Sequence, residues 1–107
     1  MHNDNPVIGF KLMTGDDVLA YARFDSSKRA WILNYPGLLI SITNQAGNPA
    51  VGVTDYIPFT ENKQIEIDET KVLFTYIPDN EMELGYVSKF DSVEIPQQKN
   101  IVPFVRK

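Results

Sequence analysis

With 107 residues, 43% of them hydrophobic and 22% charged, the chain has the size and apolar content of one compact domain with one core. The absence of cysteine excludes a disulfide scaffold, a thiolate zinc site and thiol nucleophile chemistry. Short apolar runs and a polar start, MHNDNP, predict no membrane span and no secretory signal, hence a soluble intracellular protein, while the formal charge of -4 speaks against a generic polyanion binder.

The first predicted element is a strand over Val7 to Met13, in which Ile8, Phe10 and Leu12 share one face. Gly15-Asp16 fits the Gly-X pair of a tight hairpin, with the partner strand over Val18 to Phe24. There Val18, Ala20, Ala22 and Phe24 face one way and Leu19, Tyr21 and Arg23 the other. A polar loop from Asp25 to Arg29 leads into residues 30 to 43, read as one long kinked strand turning a barrel corner or as two short strands. Trp31, Leu33 and Tyr35 are expected on one face, and a bend at Pro36-Gly37. After the turn residues Asn44 to Pro49 come strands over Val51 to Phe59, Gln64 to Asp68 and Val72 to Ile77. Then the period changes. Asp79 supplies an N-cap, Glu81 and Glu83 charge a first turn, and Met82, Tyr86 or Val87, and Phe90 recur at helical spacing, which predicts a short amphipathic helix over 80 to 90. The reading is one domain over residues 1 to 95, with an extended or flexible tail over 96 to 107 that carries Pro96 and Pro103. The fold class is mainly β, a small barrel of about five strongly bent antiparallel strands with a short C-terminal helix. Its two long apolar edges, VGVTDYI and VLFTYI, are templates for pairing with other chains.

His2, in the polar start, is the one histidine, so no His-based triad forms within a subunit. No nucleotide-binding glycine loop, G-x-S-x-G or H-E-x-x-H run occurs, and no enzyme activity or cofactor is expected. The acid pairs Asp16-Asp17, Asp68-Glu69 and Glu81/Glu83 lack the alternating oxygen ligands of a hard-cation loop and are read as hydrated turns or helix starts. Charge is unevenly distributed. Residues 1 to 40 hold four basic and four acidic side chains, residues 41 to 99 four and ten. Arg23, Lys28 and Arg29 gather around the loop after the second strand, where guanidinium and ammonium groups are suited to phosphate or to stacking on bases. The plainer reading of that loop is a solvated hairpin tip.

The run FKLMTGDDVLAYARFDSSKRAWIL, with its glycine turn, alternating strand and Phe24-Asp25 pair, resembles the first signature of Sm-like (LSm) proteins. With VGVTDYIPF, IEIDETKVLFTYIPD and the Met82 to Phe90 segment, residues 7 to 95 resemble small Sm-like proteins attributed to cyanophage. The resemblance implies an Sm-like/SH3-like barrel that joins copies of itself into a closed ring through edge strands and holds single-stranded nucleic acid, mainly RNA, near the inner rim. It further implies a role in RNA or DNA processing or metabolism in a phage context, in the cytoplasm of the host cell. It assigns nucleic-acid contact to Arg23, Asp25, Lys28 and Arg29, and the subunit interface to Val53, Tyr56, Val72, Phe74 and Tyr76. Asp25 matches the family's acidic position, Lys28 falls where a stacking residue lies, and Arg29 replaces an asparagine. The family's second signature is missing, with Tyr76-Ile77-Pro78-Asp79 in its place, and the helix follows the barrel instead of preceding it. The rival expectation is a protein-binding assembly or adaptor module that takes no nucleic acid.

Overall fold

The computed structural model describes residues 5–91 and 102–103 of the chain. Strands β1 (Val7–Leu12) and β2 (Asp17–Asp25) form an antiparallel hairpin whose register runs from Val7 opposite Tyr21 to Lys11 opposite Asp17. Its loop differs from the expected two-residue turn. The Leu12 N–H donates to the Asp16 carbonyl at 2.9 Å and the Gly15 N–H to the Leu12 carbonyl at 2.8 Å, so Met13-Thr14-Gly15 form a three-residue loop. Such loops end on a left-handed residue, and Gly15 supplies it at φ +94°.

Strand β3 (Ala30–Thr43) is long and bent. Its pairing with β2 shifts between Leu19 and Tyr21, which leaves Tyr35 and Pro36 together opposite Ala20 in a β-bulge. The bend therefore starts one residue before the expected Pro36-Gly37. Tyr35 sits at φ +54°, a sparsely populated region for a bulky residue. The bulge also breaks the expected common face: Trp31 and Leu33 point into the barrel, while Tyr35 joins the opposite core.

Strands β4 (Pro49–Asp55) and β5 (Gln64–Asp68) both pair with β3, β4 along Gly37 to Thr43 and β5 along Ala30 to Asn34. They are two halves of one interrupted strand. The strand expected over Val51 to Phe59 stops at Asp55, whose carboxylate accepts the Ile57 N–H at 2.9 Å, and Pro58 has no N–H to continue a ladder. Both ends of the 56–63 insertion are tied to the bulge, since the Tyr56 N–H donates to the Pro36 carbonyl and the Tyr35 N–H to the Lys63 carbonyl. A 3-10 turn (Glu69–Lys71) then leads into β6 (Val72–Tyr76), which returns to pair with β1. Helix α1 (Asn80–Asp91) follows, with the Asp79 carboxylate accepting the Met82 N–H at 2.9 Å as the expected cap. Finally β7 (Val102–Pro103) lies along β4. The sheet order is β6-β1-β2-β3-β4-β7, with β5 beside the first half of β3. The fold is mainly β and barrel-like with one helix near its C-terminal end, as expected. His2 and the tail after residue 95 fall outside the described residues, apart from Val102–Pro103.

Two apolar clusters hold the sheet from either side. Inside the barrel Phe10, Leu12, Val18, Ala20, Ala22 and Leu33 pack together, with Trp31, Ile65, Ile67 and Val72 around them. On the other face Val7, Leu19, Tyr21 and Val53 pack under Tyr86 and Phe90 of α1. Both faces of β2 are thus buried, and each fully buried Leu or Phe contributes roughly 1.5–3 kcal/mol. Gly37 permits the close approach. A Cβ there would lie 2.7 Å from Val53 Cγ2 and 3.0 Å from Phe90 Cε2. The buried Tyr86 hydroxyl donates to the Tyr35 carbonyl at 2.6 Å, has the Asn34 carbonyl 3.2 Å away, and accepts the Tyr21 N–H at 3.3 Å. The helix is thereby anchored on the strained bend.

Candidate nucleic-acid interface and assembly edges

The loop joining β2 to β3 is built by Asp25. Its Oδ1 accepts the Ser27 hydroxyl at 2.7 Å and the N–H groups of Ser27 and Lys28 at 3.0 and 3.3 Å. The Ser27 hydroxyl bond above all, together with those backbone donors and the Lys28 charge, holds the Asp25 carboxyl below the usual carboxylate range. Asp25 is therefore engaged in shaping its own loop. The loop closes through Arg29 in a left-handed conformation at φ +52°.

A second segment meets it. The Glu69 N–H donates to the Arg29 carbonyl at 3.0 Å, so the 3-10 turn abuts the β2–β3 loop although the two are far apart in the chain. Asp68 shapes this turn as Asp25 shapes the other, accepting the Thr70 N–H at 2.9 Å and the Thr70 hydroxyl. These Thr70 donors, the hydroxyl first, hold the Asp68 carboxyl below its usual range.

Charges on the joined loops pair across the gap. Lys28 Nζ lies 2.8 Å from Glu66 Oε2, and Arg29 Nη2 lies 2.5 Å from Glu69 Oε2. The Glu66 contact raises the Lys28 ammonium above its ordinary value. Among the described residues Arg23 forms no ion pair, and it is exposed. The surface so formed carries Arg23, Lys28, Arg29 and Lys71 against Asp25, Glu66, Asp68 and Glu69, balanced where the basic cluster alone looked positive. At the mouth of the barrel beside it, Phe24 is partly exposed and meets the sole tryptophan, Trp31, edge to face at 5.3 Å. Glu66 and Glu69 are the members that sequence reasoning missed. The alternation of QIEID, which turns Ile65 and Ile67 inward, is the signal that puts Glu66 on the outer face.

The five residues expected at the subunit interface separate into two groups. The Val53 side chain is fully buried in the chain's own core beneath α1, so only its backbone on β4 is left to face another strand. Tyr56 and Tyr76 turn inward too, for their hydroxyls donate to Asp16 Oδ2 at 3.2 Å and Asp17 Oδ1 at 3.4 Å, and the Tyr76 ring covers Gly9. Burial, then the neighbouring Asp17 charge, pushes the Tyr76 phenol up to about 12. Tyr56 is raised likewise by burial and Asp16. Val72 is half-buried, whereas Phe74 is 56% exposed, beside Leu73 at 57% on the same edge strand. Among the described residues, β6 pairs on one side only. Between β6 and the β3–β4 ribbon lies an open groove of about 330 Å³, lined by Asp17, Leu39, Ile40, Ser41, Val51, Tyr76 and Met82.

The acid pairs show no metal-holding geometry. No group of three or more His, Asp or Glu side chains converges among the described residues. Nor, among them, is any helix long and apolar enough to cross a membrane. No protein-family model matches the chain. No curated protein matches it either.

Proposed function

We propose that this chain is a ring-forming Sm-like module that holds single-stranded nucleic acid, RNA foremost, where the β2–β3 loop meets the 3-10 turn. The observation that carries the reading is the contact between Glu69 and Arg29, which makes one surface of two loops in the region to which the resemblance assigns the nucleotide. Arg23 and Arg29 are exposed there, and guanidinium groups pair with phosphate and stack on bases. Exposed ion pairs such as Lys28–Glu66 contribute little and exchange readily for another anion. Repetition of a weak contact around a closed ring raises the strength of the whole. The activity fits RNA or DNA processing or metabolism in an infected cell.

A second reading, an assembly or adaptor module without nucleic acid, is favoured by one observation: Lys28 and Arg29 each face a carboxylate. Fluorescence anisotropy with U-rich and A-rich single strands across a salt series separates the two, with Trp31 emission as an intrinsic reporter beside the surface. Saturable binding that weakens with salt and is lost in a Lys28→Ala/Arg29→Ala double variant is expected for the first reading. No binding at low salt from a protein that light scattering shows as a closed oligomer, roughly five to seven subunits, leaves only the second. A monomer at every concentration removes the ring from both.

A further inference from the structure

The two ends of the sheet are not equivalent. At one end β6 presents five residues, VLFTY, with no proline or glycine, an outer side unpaired among the described residues, and Leu73 and Phe74 exposed. Flat apolar edges of this kind recruit another strand. At the other end β4 has seven residues, all paired with β3 on one side. Its outer side is met by the chain's own β7, through Gly52 opposite Pro103 and Val53 opposite Val102. Helix α1 adjoins both β4 and β7.

We infer that β7 is a removable cap on β4, occupying within one subunit the edge that takes β6 of a neighbouring copy, so that ring assembly is coupled to release of β7. The inference rests on the ring reading proposed above and concerns its regulation. Three features support the competition. A head-to-tail ring requires two different edges to meet, and β6 and β4 are the two ends of the continuous ladder. The cap covers two of the seven β4 residues, while a five-residue strand without proline covers most of them. Successive N–H groups of a strand face opposite sides, and because the Tyr56 N–H turns to Pro36 in β3 it is Val53 whose N–H faces outward. The cap's bonds are therefore confined to Val102 opposite it, and a contact this short is marginal on its own. Weakness is what the device needs. A cap docked about nine-tenths of the time weakens the apparent association about tenfold and still yields to a neighbour at higher concentration.

Two substitutions in the full chain separate the cap's bonds from its mere presence. Val102→Pro removes the donor opposite Val53 and frees the β4 edge; Pro103→Val adds an N–H that faces away from β4 and is the control. Sedimentation velocity over a protein concentration series reads the midpoint of assembly, and amide hydrogen exchange at Val53 reads the cap in the dilute protein. Val102→Pro is expected to lower the midpoint about tenfold and to speed exchange at that amide, and Pro103→Val to leave both unchanged. Wild-type protein that assembles while Val102→Pro leaves the midpoint unchanged overturns the cap alone. So does a raised midpoint for Val102→Pro, which would make the segment a link between subunits. Failure of all three proteins to assemble overturns the ring reading and the cap with it.

Discussion

Replacing Tyr86 by phenylalanine tests how the helix secures the bent strand. The change keeps the ring that packs at 5.4 Å from Tyr21 and 4.9 Å from Phe90, and removes only the hydroxyl. Lost with it are the 2.6 Å bond to the Tyr35 carbonyl and the 3.3 Å bond from the Tyr21 N–H. Both backbone groups sit in the interior at the bulge, where removing one partner costs about 1–3 kcal/mol. Because the short bond holds a residue at positive φ, the expected loss is about 2 kcal/mol. For a domain of this size that lowers the melting temperature by about 8–16 °C. Thermal unfolding followed by circular dichroism provides the assay, at one fixed protein concentration because any self-association would shift the midpoint. Ser88→Ala, at an exposed position on the same helix, is the control and should stay within about 0.5 kcal/mol. A Tyr86→Phe melt within 2 °C (about 0.5 kcal/mol by the same conversion) of wild type would refute the claim that this hydroxyl secures the bend.

Gly37→Ala should cost about 1–3 kcal/mol, because the added methyl meets Val53 and Phe90 in a packed core; urea unfolding measures it, and an unchanged midpoint would mean that α1 rides freely on β3. Tyr76, raised to about 12 in the fold against about 10 in the unfolded chain, is protonated in the folded state over a range where the unfolded chain ionises. Its contribution to stability is therefore full below pH about 10 and declines as the pH rises towards 12; in Tyr76→Phe that decline should be shallower, as read by denaturant midpoints from pH 9 to 11.5. Asp25→Ala should loosen the β2–β3 loop, speeding amide exchange at Ser27 and Lys28 while leaving β1 and α1 protected, and equal protection at those two amides would show that the loop holds its shape without the carboxylate.

Local patterns reached some of this structure and not the rest, for identifiable reasons. The alternation of Phe10, Leu12, Val18 and Ala20 marks strands because it reports one buried face, and Asp79 marks the helix start because a cap acts within one turn. The interruption between Asp55 and Gln64 is not legible in that way, since alternation does not say which half of β3 a strand pairs with. Tyr35 follows Trp31 and Leu33 in sequence period, and only the unequal count across from Ala20 turns it to the other face. The burial of the Val53 side chain is not legible either, because VGVTDYI is apolar on both sides and the helix that covers it comes later in the chain. At the candidate site the basic cluster of Arg23, Lys28 and Arg29 was plain in the sequence. Its counter-ions Glu66 and Glu69 were not, since pairing between loops is set by the barrel's closure.

The insertion between β4 and β5 gives the fold a place where its length is free. Its entrance and exit are fastened side by side, by Tyr56 on Pro36 and by Lys63 on Tyr35, while Lys63 Nζ lies 2.7 Å from Asp55 Oδ2 and donates to the Ile57 carbonyl across the neck. Beyond that neck Phe59 is 98% exposed, and the stretch around it is not part of either ladder. Residues added between Pro58 and Asn62 would leave the register of both flanking strands untouched. A peptide tag or a small folded passenger could be seated there, displayed on the outside of the barrel, without disturbing the frame that the two flanking strands share.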